Sequence, residues 1–469
     1  MRLSRAAWST EVIALSRRFT LRECSEIRRR AIFEAGKLDP QSYDEPTLAP
    51  FALRIAPSAW RELAELAERC AEELRQTESA LRSTPTLWRA LGIPPRLRAM
   101  LHAGSREAQQ SDERHPRFAR FDFHPTKDGW RVSEVNADVP GGFIEAGAIT
   151  RIVREHLPDC VCPADPAAAL ARSIASRMNA RGVVALVHAT SYTDDQQVMR
   201  RIGAELGALG IEAHFAAPDH LEIAADGHCR LTTNHAEVRA VARFFPAEWL
   251  ANLPQPLRRR WSAIDAIVPQ ANPLSALLIQ SKRLPLVLPR LGVAMPTWMS
   301  VLPEVRAVGW RRVARSLLPD GFVLKPTWGR IGEGVTLEGV TDRRIALQSY
   351  LSARLFASEW LLQRRFASCP LGAEGIHACL GVYVVDGRAA GIYARVAPRA
   401  LIDGRAQDAA VLIDPSLEAS IRPTPAEVSD RSSCALISSI PSLSRWQDSI
   451  DAHHDVRSHG VATEGTSSR

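Results

Sequence analysis

The stretch RFDFHPTKDGWRVSEVNADVPGG, Arg120–Gly142, is the part of the chain from which the fold can be worked out. Two β-like runs, RFDF and WRVSEVN, flank a turn signal at residues 127–129, and this arrangement predicts a β-hairpin. Acidic and amide side chains interrupt both runs at Asp122, Glu134 and Asn136. Because a simple core strand would carry Val or Ile at such positions, these polar side chains need a separate explanation.

The polar side chains of the hairpin form a candidate magnesium site. Residues two apart on a strand point to the same face. Arg120 and Asp122 therefore share a face, and so do Glu134, Asn136 and Asp138. If the strands pair around the turn, two carboxylates and an amide oxygen converge, a ligand set that suits Mg²⁺. A polar surface face with Arg120 in a salt bridge explains the same residues, and the sequence alone leaves both interpretations open.

Length and composition exclude several classes of protein. The chain has 469 residues, 46% of them hydrophobic and 24% charged, which predicts a globular protein of about two to four domains. No apolar run is long enough to span a membrane, and we expect a soluble, cytoplasmic protein without a membrane partner. The net charge is +7, which could indicate binding of nucleic acid. The arginines of the chain are scattered along helix-like segments, however, and this favours solvent-exposed helix faces as their explanation. The eight cysteines form no disulfide framework.

The middle of the chain has an α/β pattern. The buried run GVVALVHAT, an amphipathic segment DDQQVMRRIGAELGALG and a second run IEAHFAAP predict a βαβ unit and a parallel sheet. The next segment, EVRAVARFFPAEWL at 237–250, predicts a helix broken at Pro246. Further on, VLKPTWGRIGEGVTL predicts a strand, a glycine-rich loop and a second strand.

Lys325 and the glycine-rich loop after it form a candidate phosphate clamp. Small residues at Gly329 and Gly332 let the backbone approach an anion closely, and the lysine supplies a compact positive charge. Lys282, in the segment SKRLPLVL, is a candidate second phosphate contact. An ordinary surface hairpin explains the loop as well, and a lysine with its stem on an apolar helix face explains Lys282.

At this point the sequence resembles the glutathionylspermidine synthase family, whose synthetase domains have an ATP-grasp-type fold. The segments that carry the resemblance over about residues 50 to 415 occur in the family's order: RFDF, SEVNADVPGGFIEA, RFFPAEWL, SKRLPLVLPRLG, VLKPTWGRIGEGVTL, LLQRRF and GVYVVDGRAAGIYAR. The resemblance implies an α/β fold of ATP-grasp type, with a pre-ATP-grasp-like parallel α/β domain and an N-terminal helical region. It implies a helical region at 1–105, a metal-binding hairpin and α/β substrate domain at 106–270 and an ATP-grasp nucleotide-binding region at 271–425. The Ser-rich, polar composition after about residue 425 predicts a disordered tail at 426–469.

The resemblance also implies an activity and a set of site residues. It implies an ATP-dependent carboxylate–amine ligase that uses Mg²⁺, passes through an acyl phosphate and joins a peptide-like acid to an amine such as a polyamine. The implied roles are metal binding by Asp122, Glu134 and Asn136; charge stabilisation by Arg120 and Arg395; ATP binding by Lys282, Lys325, Gly329, Arg330, Gly332 and Gln363; and substrate binding by Asp194, Asp195, Gly141 and Gly142. Asp194 and Asp195 have a second explanation, because acidic residues are favoured at a helix N-terminus.

The sequence departs from the family's pattern at several points. Val139–Gly142, VPGG, stands where the family has hydroxyl side chains for glutathione, so glutathione is not assured as the acid. The family's pattern after the last arginine is absent from ALIDGRAQDAAVL, which favours the alternative of a degenerate relative that binds nucleotide without turnover. The first hundred residues hold no Cys and His pair typical of an amidase domain, and a basic RNA-associated protein remains a third hypothesis.

Overall fold

The structure is a computed structural model that describes residues 12–42, 44–105, 112–178, 182–309, 321–329 and 332–421. These residues all fall within one compact unit, Met1–Ile421. The strands are β1 (Ile13–Leu15), β2 (Gln41–Ser42), β3 (Glu45–Pro46), β4 (Leu53–Ile55), β5 (Phe118–Thr126), β6 (Gly129–Asn136), β7 (Val183–His188), β8 (Ala213–Ala216), β9 (Leu221–Ile223), β10 (Cys229–Leu231), β11 (Val238–Phe244), β12 (Gln270–Ala271), β13 (Val305–Ala307), β14 (Phe322–Pro326), β15 (Trp360–Arg364), β16 (His377–Val385), β17 (Arg388–Ala397) and β18 (Gln407–Ile413).

The helices cover the sheets and supply much of the core. They are α1 (Leu21–Phe33), α2 (Pro57–Arg82), α3 (Pro95–Ser105), α4 (Thr150–Arg154), α5 (Pro166–Ser176), α6 (Thr193–Ala208), α7 (Ala247–Leu250), α8 (Gln255–Ile267), α9 (Leu277–Gln280), α10 (Leu288–Leu291), α11 (Pro296–Val301), α12 (Arg343–Leu355) and α13 (Pro415–Ile421). A π-helical turn, Glu145–Ile149, precedes α4. Helix α2 buries the stripe Leu63, Ala67, Cys70 and Leu74, and this 3–4 spacing explains why the segment is helical.

The predicted hairpin forms and lies at the edge of a mixed sheet. In the described part of the chain this sheet has the strand order β1-β4-β18-β17-β16-β5-β6. Strand β5 pairs with β6 on one side and with β16 on the other, both antiparallel. The sheet therefore joins residues near 120–136 to residues near 377–413, which brings the hairpin's polar side chains next to β17 and β18.

A second sheet is parallel, as the βαβ pattern predicts. Its order within the described residues is β12-β11-β7-β8, with every neighbouring pair parallel. The prediction of a helix over 237–250 is wrong for its first half, because 238–244 form β11 and only Ala247–Leu250 are helical. β11 lies between β12 and β7, and Val238, Ala240 and Val241 are buried there. Pairing within the sheet therefore overrides the helix prediction for these residues.

A third, smaller sheet carries the candidate phosphate lysine. Its order in the described residues is β13-β15-β14, and all pairs are antiparallel. The strand predicted after the glycine-rich loop does not form as a strand, because Thr336 makes only an isolated bridge to Leu324. Strands β16 and β17 form an antiparallel hairpin that turns at Asp386-Gly387.

Some predictions concern parts of the chain beyond the described residues. The predicted tail at 426–469 lies outside them, and so do Arg330 and Ile331 of the glycine-rich loop. The proposed domain boundaries stay a prediction. Among the described residues no helix combines the length and the apolar character needed to cross a membrane.

Candidate functional site

The hairpin places its polar side chains in one cleft of about 1260 Å³. Asp122 stands directly opposite Glu134, and Arg120 directly opposite Asn136, in the β5–β6 register. The guanidinium of Arg120 donates to both oxygens of Asp122, at 2.7 and 2.9 Å. The amide nitrogen of Asn136 donates to Asp122 Oδ2 at 3.1 Å. These four side chains, which the sequence predicted as one group, therefore lie together.

Both predicted phosphate lysines reach the same cleft. Lys282 Nζ lies 3.0 Å from Glu134 Oε2 and donates to the Gly329 carbonyl at 2.8 Å, so it links the hairpin to the glycine-rich loop. Lys325, near the end of β14, also lines the cleft. The separation of Lys282 from Lys325 in sequence is large, and the fold brings both to one carboxylate, Glu134.

The electrostatics of this group show how strongly its members interact. Burial alone would raise the pKa of Glu134, but the positive charges of Lys282 and Lys325 outweigh burial and hold it below its usual range. Burial lowers the pKa of Lys325 to about 8, against the attraction of Glu134. Lys325 is thus a cation whose desolvation is not fully compensated, and an added anion would supply the missing partner.

The glycine-rich loop has little space for side chains. Gly332 has a φ of +72°, and a Cβ there would lie 2.8 Å from the Ile402 carbonyl oxygen. At Gly329 a Cβ would meet Pro326 Cγ at 2.3 Å. Gly329 and Gly332 both line the cleft, which is consistent with a backbone that closely approaches a ligand.

Gln363 and Arg395 occupy two further walls of the cleft. Gln363 is 3% exposed in β15, and its Oε1 has no hydrogen-bond partner among the described residues. A buried amide oxygen without a donor is costly unless a ligand or water supplies one. Arg395, in β17, lies opposite Asp408 of β18 and donates to the Asp403 carbonyl at 2.5 Å. Both residues line the cleft, as the resemblance implied.

A buried polar network fixes the end of the hairpin. Asp138 and Arg243 form an ion pair with both side chains fully buried, and the Ala247 amide donates to Asp138 Oδ2 at 2.8 Å. Gln280 Oε1 accepts the amides of residues 137 and 138, at 2.9 and 2.8 Å. Asp138 therefore holds the hairpin on the parallel sheet and does not face the cleft.

The substrate residues implied by the resemblance also line the cleft. Asp194 and Asp195 occupy the first turn of α6, and Gly141 and Gly142 follow the hairpin. The Gly141 carbonyl accepts hydrogen bonds from Arg120 Nη1, at 3.0 Å, and from the Tyr383 hydroxyl. Gly142 has a φ of +89°, and a Cβ there would clash with Tyr383 Oη at 2.6 Å. The second glycine is thus required by backbone conformation and by packing.

Sequence reasoning missed a buried ionic group beside the cleft. Lys37 is 1% exposed, and its Nζ lies 2.6 Å from Glu145, 3.1 Å from Asp39 and 3.5 Å from Asp408. Burial would lower the pKa of Lys37, but these carboxylates raise it well above its usual value. We call these four residues the Lys37 cluster. Asp39, Glu145 and Asp408 line the cleft.

Asp408 is the carboxylate of the Lys37 cluster that is least compensated. Burial raises its pKa to about 7, because the attraction of Lys37 is offset by Glu145. Asp194 also interacts electrostatically with residues of the Lys37 cluster. Burial and the negative charge of Asp39 raise the pKa of Asp194. This end of the cleft is therefore an acidic region with one internal cation, suited to bind a second cation.

The side chains of the hairpin offer the type of ligand atom that Mg²⁺ prefers. The site offers carboxylate and amide oxygens, the ligands that hard cations prefer, and phosphate oxygens and waters commonly complete a magnesium shell. The side-chain nitrogen of Asn136 points to Asp122, which leaves the amide oxygen as a ligand. Among the described residues no three His, Cys, Asp or Glu side chains form a metal-binding group, so a metal here depends on Asn136 or on ligand oxygens.

Comparisons with known proteins agree with this architecture. The matching family model is described as glutathionylspermidine synthase pre-ATP-grasp and covers residues 41–413. A solved glutathione synthetase-like effector from Globodera pallida is similar in structure, with a TM-score of 0.59 and 12% identity over 84% of this chain and 96% of that one. At this identity the similarity shows the fold alone, and it confirms the predicted ATP-grasp-type α/β fold.

Two further comparisons add less. A putative γ-glutamylcysteine synthetase from Methylobacillus flagellatus is 13% identical over 72% of this chain and 87% of that one, with a TM-score of 0.41. The comparison with curated proteins finds no match.

Proposed function

This chain belongs to the glutathionylspermidine synthase family, and from that premise we propose that it is an ATP-dependent ligase that joins a carboxylic acid to an amine. One observation carries the proposal. Two lysines and a group of carboxylates and amides, which lie far apart in sequence, converge in one cleft of about 1260 Å³. Ligand pockets commonly span about 300–1000 Å³, so this cleft has room for a nucleotide and two small substrates.

ATP would lie between the hairpin and the small sheet. Lys325 lacks full compensation for its burial and would contact the phosphates, with Lys282 beside it. The loop backbone at Gly329 and Gly332 would approach the same phosphates. Gln363 Oε1, which has no partner among the described residues, would accept a hydrogen bond from the exocyclic amine of adenine.

The hairpin would hold a magnesium ion together with the phosphates. Asp122, Glu134 and Asn136 are the residues that would hold it, with Lys282 moving from Glu134 towards phosphate oxygens. When bound, Mg²⁺ would supply positive charge that neutralises the phosphates.

The protein's own groups would mainly position charges. A carboxylate oxygen of the acid attacks the γ-phosphorus of ATP, and the bond to ADP breaks. Arg120, held by both oxygens of Asp122, would stabilise the transferring phosphoryl group, and Arg395 would stabilise the acyl phosphate. The amine nitrogen then attacks the acyl carbon, phosphate leaves with the electrons of the C–O bond, and the amine loses a proton to give the amide.

The amine would approach from the acidic side of the cleft. Glu145 and Asp408 face it there, and Asp194 and Asp195 extend the acidic region along the first turn of α6. A carboxylate that binds the ammonium form can also accept its proton. The raised pKa of Asp408, about 7, lies close to neutral pH, which suits that second role.

The direct test is ADP release. The purified full chain is incubated with ATP, Mg²⁺ and pooled carboxylic acids and amines, with omission of each component as the control. We expect ADP release only when an acid and an amine are both present, and Lys325→Ala should abolish it. If no pool raises ADP release above the ATP-only rate, the ligase proposal fails.

ATP binding without turnover would instead favour a degenerate relative, an alternative raised by the lost pattern after Arg395. Calorimetric titration with a non-hydrolysable ATP analogue distinguishes a chain that binds nucleotide without turnover from one that does not bind nucleotide, because it measures binding without requiring the correct acid or amine.

A further inference from the structure

The switch point of the parallel sheet faces the cleft. In the order β12-β11-β7-β8, strand β7 comes first in the chain, β8 lies on one side of it and β11 on the other. In open α/β sheets, ligands bind outside the carboxyl ends of the strands where the strand order reverses. That position here lies between the ends of β7 and β11.

Aromatic side chains occupy this position. Phe244 ends β11 and Trp249 lies in α7, and both line the cleft. The ring of Trp249 lies 6.0 Å from that of Tyr192, which follows β7, so the aromatic pair spans the gap between the two strand ends. Phe245 supports Trp249 from the other side with an edge-on contact at 5.6 Å. We call Phe244 and Trp249 the aromatic wall.

The aromatic wall is partly open to solvent. Trp249 is 37% exposed and Phe244 is half-buried, and Tyr192, which contacts Trp249 but does not line the cleft, is 58% exposed. The adjoining segment 139–142 lines the same part of the cleft and presents no side-chain hydrogen-bonding group. An open aromatic surface continuous with an apolar floor is suited to bind an apolar group.

The aromatic wall lies on the acid side of the proposed reaction. Arg120, the residue proposed to stabilise the phosphoryl group, donates to the Gly141 carbonyl at 3.0 Å. On the α-carbon of the same glycine, a Cβ would lie 3.4 Å from Phe244 Cζ. Arg120 and Phe244 thus both lie beside Gly141, so a carboxylate phosphorylated near Arg120 lies near the aromatic wall. The Lys37 cluster, where the amine would bind, uses different residues.

We propose that the acid substrate carries an aromatic or comparably flat apolar group, which packs on Phe244 and Trp249 at the switch point. This inference rests on the proposed ligase function and names the substrate class of its acid site. A hydrophilic tripeptide acid would place its polar groups against the aromatic rings and would be bound less well.

The first test measures binding and does not require turnover. 3-Phenylpropionate and succinate are titrated calorimetrically into the full chain with Mg²⁺ and a non-hydrolysable ATP analogue, beside glutathione. We expect the aromatic acid to bind at least about tenfold more tightly than the others, in line with stacking energies of buried aromatic pairs. Equal affinity for the three acids, or tighter binding of glutathione than of 3-phenylpropionate, overturns the inference. Neither result bears on the proposed ATP site.

The second test uses matched variants. Trp249→Ala and Phe244→Ala should each weaken binding of 3-phenylpropionate about tenfold and leave the affinity for the ATP analogue unchanged. Phe215→Ala is the control, because Phe215 is 49% exposed on β8 of the same sheet but does not line the cleft. Where turnover is found, the KM for the acid should rise and the KM for the amine should not. A change in the KM for the amine alone would assign the wall to the amine and overturn the inference.

Discussion

The two ends of the cleft use lysine in opposite ways. At the hairpin end, Lys325 is half-buried near Glu134, the carboxylate that also pairs with Lys282, and loss of solvation lowers its pKa to about 8. In the Lys37 cluster, Lys37 is surrounded by three carboxylates, which raise its pKa well above the usual value. The hairpin end therefore has too little negative charge for its cations, and the Lys37 cluster has too little positive charge for its carboxylates.

This contrast indicates where ligands contribute. An anion such as a phosphate would balance the charge of the hairpin end. A cation such as an ammonium would balance the charge of the Lys37 cluster. Lys37 itself is a structural counter-ion, because its charge is fully used by its neighbours. The following predictions test this difference, from the largest expected effect to the smallest.

Replacing Lys37 should mainly reduce stability. Lys37→Met leaves Glu145, Asp39 and Asp408 without their counter-ion, and breaking a buried ion pair typically costs about 3–5 kcal/mol. Urea unfolding followed by circular dichroism measures the loss. Lys127→Met is the control, because Lys127 is exposed in the hairpin turn and should leave the free energy of unfolding unchanged. A loss no larger than that of the control would contradict the assignment of Lys37 as a structural counter-ion.

Replacing Lys325 should mainly reduce nucleotide affinity. Lys325→Met removes the cation proposed for the phosphates, and we expect ATP to bind about a hundredfold more weakly, since charge-assisted contacts are each worth about 1.5–3 kcal/mol. The free energy of unfolding should not fall, because burial disfavours the charged form of Lys325 in the folded protein when no ligand is bound. Titration with a fluorescent ATP analogue provides the measurement, again with Lys127→Met beside it. Unchanged ATP affinity in Lys325→Met would remove this lysine from the site.

The pH dependence of stability should change when Asp408 is replaced. The pKa of Asp408 in the folded protein, about 7, is above its value of 3.8 for an unperturbed group, so its contribution to stability is complete below about pH 4 and is lost as the pH rises through 7. Asp408→Asn removes this loss. Relative to the unchanged protein, the variant should gain about 2 kcal/mol between about pH 5 and about pH 8, from roughly 1.4 kcal/mol per pKa unit.

Urea unfolding at several pH values tests the Asp408 prediction. Asp128→Asn, at an exposed position of the hairpin turn, is the control and should keep the pH profile of the unchanged protein. If Asp408→Asn also keeps that profile, Asp408 titrates as an ordinary aspartate and the Lys37 cluster has no excess of negative charge.

The smallest effect is expected at Gln363. Gln363→Met removes the amide oxygen proposed to accept from adenine, and loss of one such hydrogen bond costs about 1 kcal/mol, or roughly fivefold. The preference for ATP over GTP in direct binding should fall by that factor. Gln348→Met, on the exposed face of α12, is the control. An unchanged preference would place the base elsewhere in the cleft.

The hairpin end could be predicted because its information is local. A turn signal, two alternating strands and polar residues at same-face positions all lie within 23 residues, so spacing alone brings Asp122, Glu134 and Asn136 together. The lysines came from other segments, and their association with the hairpin rested on the family resemblance. The placement of these residues in one cleft agrees with that expectation, while their roles stay predictions.

The Lys37 cluster could not be predicted in the same way, because its four members come from segments around residues 37, 145 and 408. One signal was present: the chain has only four lysines among 59 basic residues, at positions 37, 127, 282 and 325. A chain that uses arginine almost everywhere retains lysine where a compact charge is needed. Three of the four lie at or beside the cleft, and Lys37 could have been found from this scarcity.

The segment 237–250 was predicted wrongly for a related reason. Arg243 lies in β11, where it is fully buried and paired with Asp138. Sequence patterns that assign charged residues to the surface do not predict a buried arginine. The same error hid Phe244 and Trp249, since a strand followed by a short helix brings both to the cleft at the end of β11.

The most direct test of the ligase account follows one oxygen atom. The full chain is incubated with ATP, Mg²⁺, an amine and an acid that supports ADP release, with the acid's carboxylate labelled with ¹⁸O, and the released phosphate is analysed by mass spectrometry. The account predicts ADP and a phosphate that carries one ¹⁸O atom, because a carboxylate oxygen attacks the γ-phosphorus and leaves with it. Unlabelled phosphate, or AMP in place of ADP, would contradict phosphorylation of the acid in this cleft.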